Sequence, residues 1–440
     1  MGEPIVTTKI PFEKCTVLVE APRVPITART ALRPVALCLA PVEVAMRARA
    51  LGDSVFFDSS LDSPGAISIV AADPQRILRG NLRDDGEALR KFVAAHQIRD
   101  TVDFGGPAGI IAGWVEYDGG FCFGLYEETL VYRHADASWH ESGDLGSRIV
   151  SAKQRGPRAS ARLHFTRECA RDSYLERVAR GQEYIAAGDI YQVNLAHRLT
   201  AGWSGDPFPF YASLRHYSPA PFAAFLEVGG RAILSSSPES FLRISDRAIR
   251  TRPIKGTRPR RREPKADEKS AYDLITSPKE VAELVMITDL ERNDLGQICE
   301  YGSVVVRELL QLERHEHVFH LVSTVEGRLR AEVDHVTALA ACFPGGSITG
   351  APKRRAREII SELEPVPRGL YTGAIGWFGL NGETQFNIAI RTVIAEHGRV
   401  HFHVGAGIVA DSNPAQEWQE TLDKAAGILL SAERLETVPA

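Results

Sequence analysis

Cysteine is sparse and unpaired in this sequence. The six residues, Cys15, Cys38, Cys122, Cys169, Cys299 and Cys342, are scattered and form no C-x-x-C pair. That excludes a disulfide framework or a cysteine zinc site as the organising feature and fits free thiols in a reducing compartment. Long apolar runs are missing as well. The most apolar early segment, Pro34 to Ala40, is stopped by Pro41 and Glu43, far short of a membrane span. The N-terminus, Met-Gly-Glu-Pro-Ile-Val, has no basic region ahead of an apolar one, and Val6 stands where a myristoylation signal needs Ser or Thr. A cytoplasmic protein with no membrane partner is expected. Excess charge is absent too: a net charge of −4 over 440 residues argues against a nucleic-acid partner. One basic run, Arg258 with Arg260, Arg261 and Arg262, has no interleaved aromatics to stack on bases. No internal repeat is visible.

What is present is ordinary for a globular chain, with 44% hydrophobic and 25% charged residues. The length allows two or three domains or one large one. Short β-branched runs at Ser54 to Phe57, Ala66 to Ala71 and Gly109 to Val115 predict strands, and Glu87 to His96 has helical spacing. Residues 141–160 turn to Gly, Ser, Arg and Pro without period and predict a linker or surface loop. It separates an N-terminal subdomain at 1–140 from a core at 161–435. In the core, Asp172 to Ala187 predicts a helix, Ile190 to Leu195 a strand, and Gly229-Gly230 a hairpin between Pro221–Leu226 and Arg231–Ser235. Two helices announce their starts: Ser277-Pro-Lys-Glu280, with a capping box, and Asn413-Pro-Ala-Gln416. Strands are expected at Gly373 to Phe378 and Arg399 to Val404, with the apolar run Phe386 to Ile394 between them. Many strands and several helices without strict alternation predict an α+β fold with large antiparallel sheets.

Two glycine motifs are decoys. Gly345 to Gly350 has phosphate-loop spacing, but Ala351-Pro352 follows where Lys-Ser/Thr is required. Gly405-Ala-Gly-Ile-Val-Ala410 matches a dinucleotide motif, yet only about thirty residues follow it, too few for that fold. Both still offer backbone N–H groups to a carboxylate or phosphate. The stretch Thr251 to Arg260 is more informative. Pro253 and Gly256 frame Lys255 on a stiff, bent backbone, where a lysine becomes a nucleophile if its surroundings remove its proton; a solvated basic loop is the plainer alternative. Glu417, Glu420 and Lys424 share one helix face, either as an exposed Glu–Lys pair or as part of a site. Glu283, among Val281, Ala282, Leu284 and Val285, either points outward or joins Glu420 as a second hard oxygen ligand for Mg²⁺. Glu239 follows a strand and is a candidate general acid, or a turn acid. His320 lies in an apolar stretch, and Arg391 ends one, where a buried guanidinium would want an anion.

These motifs, in this order, resemble the chorismate-utilising enzymes, and within them the aminodeoxychorismate synthase component I branch, the large subunit of para-aminobenzoate synthase. The resemblance covers about Arg167 to Ala432. It rests on Gly188 to Asn194 (GDIYQVN), Ser236 to Phe241 (SSPESF), Pro253 to Thr257 (PIKGT) and Asp289 to Asp294 (DLERND). It continues through His320 to Ser323, Phe343 to Lys353, Ile390 to Thr392, Gly405 to Val409 and Glu417 to Lys424.

The resemblance implies two antiparallel sheets packed face to face between outer helices, both parts of the chain forming one intertwined sandwich. It implies Glu283 and Glu420 as Mg²⁺ ligands, with Glu417 beside them. Thr349, Gly350, Tyr371, Arg391, Gly405, Gly407 and Lys424 would hold the carboxylates and enolpyruvyl group of chorismate. Glu239 would protonate the leaving 4-hydroxyl, with His320 near the ring. Water-using relatives carry a lysine base where this chain has Gln192, so ammonia is the implied nucleophile. Anthranilate synthases carry alanine where this chain has Lys255, which would add to C2 before ammonia enters C4. The implied product is 4-amino-4-deoxychorismate, in p-aminobenzoate and folate synthesis; anthranilate synthase component I is the alternative. Ser240 departs from the arginine usual after the motif glutamate. Phe56-Phe-Asp-Ser59 departs from the Leu-Leu-Glu-Ser tryptophan-binding type, so tryptophan inhibition is not expected. No cysteine elbow is present, so ammonia is expected from solution or from a separate glutamine amidotransferase subunit.

Overall fold

The computed structural model describes residues 32–61, 65–98, 106–153, 162–316 and 318–435. The reading of the N-terminus, Cys15 included, and residues 154–160 of the expected linker lie outside the described residues. The rest of that linker differs from expectation. Its start completes the strand Ser138–Ser142, and Leu145–Ser151 is helical, burying Leu145 and Ile149. A single apolar i,i+4 pair is too short to register as a period.

Among the described residues two antiparallel sheets, of twelve and ten strands, pack face to face with helices outside. In each sheet the N-terminal strands make one side and the later strands the other, and the two sets meet at one seam. In the first, Ser54–Asp58 pairs with Phe222–Val228. In the second, Ile110–Val115 pairs with Ala374–Gly379. The Ile110–Val115 strand explains why so many segments read as unbroken apolar runs. Ile110, Ala112 and Trp114 face the opposing sheet with Ile69, Leu226 and Ile394. Ile111 and Val115 face the helix layer, with Leu89, Val93 and Leu339. A strand buried on both faces has no polar alternation to display.

The Gly229-Gly230 hairpin forms as expected, with φ of 61° and 84° and Val228 opposite Arg231. Both residues need the left-handed region that glycine enters freely. The run Phe386 to Ile394 divides instead of continuing. Glu383–Ile388 joins the ten-stranded sheet and Thr392–Glu396 the twelve-stranded one. Arg391, at φ 49°, sits where the chain crosses between them. The helix expected to start at Ser277 spans Pro278–Gly296, but its N-cap Ser277 makes no side-chain cap bond. The capping-box partner Glu280 is drawn off by Arg258 at 2.8 Å. The last helix, Pro414–Glu433, is capped as expected, Asn413 accepting from the backbone N–H of Ala415 and Gln416. No described helix is long and apolar enough to cross a membrane.

Candidate active site

The lysine stretch is a strand, not a loop. Ala248–Arg252 and Ile254–Pro259 both pair with Val318–Arg328, and Gly256, at φ 72°, makes a bulge between Lys255 and Thr257. A Cβ on Gly256 would lie 2.6 Å from Leu274 Cδ1, so the bulge also needs the close approach that glycine permits. The bulge and the neighbouring helix Pro278–Gly296 enclose the lysine. Lys255 Nζ donates to the Ser347 carbonyl at 3.0 Å and lies 4.0 Å from Glu283 Oε2. Two arginines of the basic run are folded into ion pairs, Arg258 with Glu280 and Arg260 with Asp267, while Arg261 and Arg262 stay exposed. Arg252, three residues before Lys255, is engaged by Glu313 and donates to Thr324.

Two glutamates face this lysine from different elements. Glu239 is 5% exposed, and its Oε1 has no hydrogen-bond partner among the described residues. Burial pushes its carboxyl above the usual range, while Ser347, Lys255, the Ile254 backbone and Lys424 pull it down. That balance suits a group that must hold a proton and then deliver it. Glu283 is also raised, first by burial and then by Glu420, against Lys255, Lys279 and Lys424. For Glu420, burial is outweighed by Lys424, Lys279 and Lys255, so its carboxyl ends below the usual range. Lys424 Nζ donates to Glu420 Oε1 at 2.7 Å and to the Gly405 carbonyl at 2.9 Å.

The glycine segments close the other wall. Gln192 opens the strand Gln192–Gly202, opposite Ala351, and its side chain is buried. A Cβ on Gly407 would meet Gln192 Nε2 at 2.2 Å, and one on Gly350 would meet the Gln192 carbonyl at 2.1 Å. One on Gly405 would stand 2.8 Å from the Tyr371 hydroxyl. Thr349, buried, donates through its hydroxyl to the Gly345 carbonyl at 3.0 Å. Tyr371 stacks on His403, with ring centroids 5.3 Å apart, and its phenol is raised by burial. His320 lies on the strand beside Lys255, opposite Thr257. Burial, His315 and Arg391 hold its imidazole down at about 4, so it is neutral near pH 7. Arg391 is half-buried with no acid partner among the described residues, and burial lowers its guanidinium. A desolvated guanidinium without a carboxylate is an anion site.

Glu417 is almost fully buried. It accepts from Lys279 at 3.0 Å and from the Ser412 hydroxyl at 2.7 Å, and its Oε2 lacks a partner. Among the described residues no three His, Cys, Asp or Glu side chains form a ready-made metal cage. The residues still fit Mg²⁺, which takes one or two protein carboxylates and completes its shell with water and substrate oxygens. The Glu420 carboxylate adds to the rise of Glu283, so the two acids lie within each other's field.

Sequence reasoning missed Lys279, the Ser347 carbonyl and Glu291. Lys279 stands one helical turn before Glu283, a spacing that could have marked it, although its partner is on another helix. Glu291 is buried behind the site, receives the Thr251 hydroxyl at 2.6 Å, and is raised to about 8 by burial, with Glu239 and Asp294 adding to it. Asp58, in the N-terminal motif, accepts from Arg215 at 2.7 Å and from the Tyr211 hydroxyl at 3.1 Å.

A family model described as chorismate binding enzyme matches residues 75–430. The chain belongs to that family. It is 44% identical over 309 residues to the aminodeoxychorismate synthase component 1 of Bacillus subtilis, covering 68% of this chain and 66% of that one. It is equally 44% identical, over 281 residues, to the anthranilate synthase component 1 of Thermus thermophilus, covering 64% and 61%. The chain thus spans slightly less than two thirds of the length of these curated relatives. The solved anthranilate synthase component I of Streptococcus pneumoniae superposes with a TM-score of 0.74 at 29% identity, over 84% of this chain and 93% of that one. The two-sheet architecture is that of chorismate-utilising enzymes.

Proposed function

We propose that this chain aminates chorismate at C4 with ammonia, as an aminodeoxychorismate synthase component I. The observation that carries the reading is Lys255: enclosed, 4.0 Å from Glu283, and in the field of the raised Glu239. In the proposed course, Lys255 Nζ adds to C2 as the ring double bonds shift and the 4-hydroxyl departs as water, taking the proton from Glu239. Ammonia then adds at C4, the shift reverses, and Lys255 leaves. One chorismate and one ammonia give one aminodeoxychorismate and one water. Arg391 and the N–H groups beside Gly405 and Gly350 hold the carboxylates, and the buried Gln192, which cannot act as a base, does not activate water. Mg²⁺, held by Glu283 and Glu420 with Glu417 behind them, would neutralise the ring carboxylate. A separate glutamine amidotransferase would supply the ammonia in the cell.

Anthranilate synthase component I is the second reading, favoured by the equal identity to relatives of that name. Incubation with chorismate, Mg²⁺ and an ammonium salt, followed by identification of the product, separates the two. Aminodeoxychorismate is expected, with its loss in excess chelator and no product from glutamine alone. Fluorescent anthranilate as the main product would establish the second reading, and full activity in chelator would remove the metal.

A further inference from the structure

One charged feature lies outside the candidate site. On the ten-stranded sheet, Val305, Glu326, Arg250 and Arg243 stand opposite one another in a row across four strands. They line a groove of about 530 Å³ together with Arg307 and Arg328. Four arginines thus meet one glutamate in the lining. That glutamate, Glu326, is taken by Arg307 at 3.0 Å, and Arg328 has Glu300 at 3.8 Å. Arg243 and Arg250 have no acid partner among the described residues. Like charges directly opposite on adjacent strands destabilise a sheet. Burial, Arg243 and Arg252 lower the Arg250 guanidinium, while Glu326 and Glu308 only partly oppose them.

The groove borders an open edge. The strand Val305–Arg314 pairs only with Val318–Arg328 among the described strands, and Val305, Val306 and Leu309 are 38%, 37% and 54% exposed. An open edge with exposed apolar side chains beside a row of arginines is a surface on which an extended peptide can settle. We propose that this surface docks an acidic, extended segment of a partner polypeptide. The segment crosses the strands of this face: its carboxylates meet Arg243 and Arg250, and its apolar side chains continue onto Val305 and the Leu309 edge. A small free anion would use the arginines and leave the apolar edge uncovered. A nucleic acid would want stacking aromatics, and none lines the groove. The edge strand also reaches the candidate site, because its Glu313 lies opposite His320 and engages Arg252.

The test uses the full chain and a fluorescein-labelled ten-residue peptide of alternating Glu and Val, read by anisotropy, with Lys for Glu as control. The Glu peptide is expected to bind and the Lys peptide not, with affinity falling as salt is raised. Arg243→Glu with Arg250→Glu should weaken binding about tenfold or more. Arg250→Lys should keep most of it, and Leu309→Asp should weaken it as well. Unchanged melting temperatures establish that the variants are folded. Failure of the Glu peptide to bind overturns the proposal, as does undiminished binding by the charge-reversed chain. So does tighter binding of a single-stranded RNA at the same arginines. A dimer in sedimentation that Leu309→Asp dissolves would assign the face to a second copy instead.

Discussion

Lys255 and Glu291 carry the sharpest consequences at the scale of single residues. Lys255 owes its place to a glycine bulge and a carbonyl, not to the arginines around it in sequence. In the covalent route, Lys255→Ala should lose aminodeoxychorismate formation by about 10³-fold or more. Chorismate should still bind, and a trickle of ortho-substituted product is expected from direct attack of ammonia at C2. Product analysis checks this, and the para product at the parental rate would remove the nucleophile. Glu291 gives a prediction about stability. Its folded carboxyl titrates near 8 against an ordinary 4.5, because burial favours the neutral form. The folded chain therefore binds this proton more tightly than the unfolded one. The associated stability is fully present below pH 4.5 and is lost as pH rises towards 8. Glu291→Gln cannot ionise, so between pH 5 and 9 it should gain a few kcal/mol relative to the parent. Urea unfolding at both pH values measures it; an identical pH dependence in the two proteins would contradict the assignment.

The same local signal can have different outcomes in two elements. Both site helices begin with a capping residue followed by proline, yet only Asn413 caps. The Pro414–Glu433 helix carries Glu417, Glu420 and Lys424, so loosening its first turn reaches the site. Asn413→Ala should cost about 1 kcal/mol, whereas Ser277→Ala should be close to neutral because that hydroxyl makes no cap bond. Thermal melts of the two variants make the comparison, and an equal loss in both would refute it. The other half of that capping box, the Glu280 side chain, is lost to competition. Glu280 has a choice between the backbone of its own first turn and Arg258 on the neighbouring strand, and the charge-assisted partner wins.

At the scale of the molecule, the N-terminal third supplies neighbours to central strands of both sheets. Without Ser54–Asp58 and Ile110–Val115, the strands Phe222–Val228 and Ala374–Gly379 would become open edges with their inner faces bare. A fragment of residues 162–435 should therefore fail to give a soluble chain with a cooperative melt, and circular dichroism and sedimentation test it. Recovery of a monomer melting as the full chain does would show that the core stands alone.

Much was legible without coordinates. The strand runs, the two-glycine hairpin, the start of the last helix and the ordered motifs from Gly188 to Lys424 are written within short windows. There, side-chain period and turn chemistry act on neighbouring residues. The residue types of the candidate site, a lysine after Pro253 and glutamates at 239, 283 and 420, were equally open to reading. Tertiary structure alone decided who meets whom. It divided Phe386 to Ile394 between two sheets at Arg391 and took Arg252 and Arg258 away from Lys255. It also brought Lys279 onto Glu417, 138 residues away. Such pairings depend on strand register and on burial that makes an unpaired charge costly, and neither quantity exists until distant segments have packed.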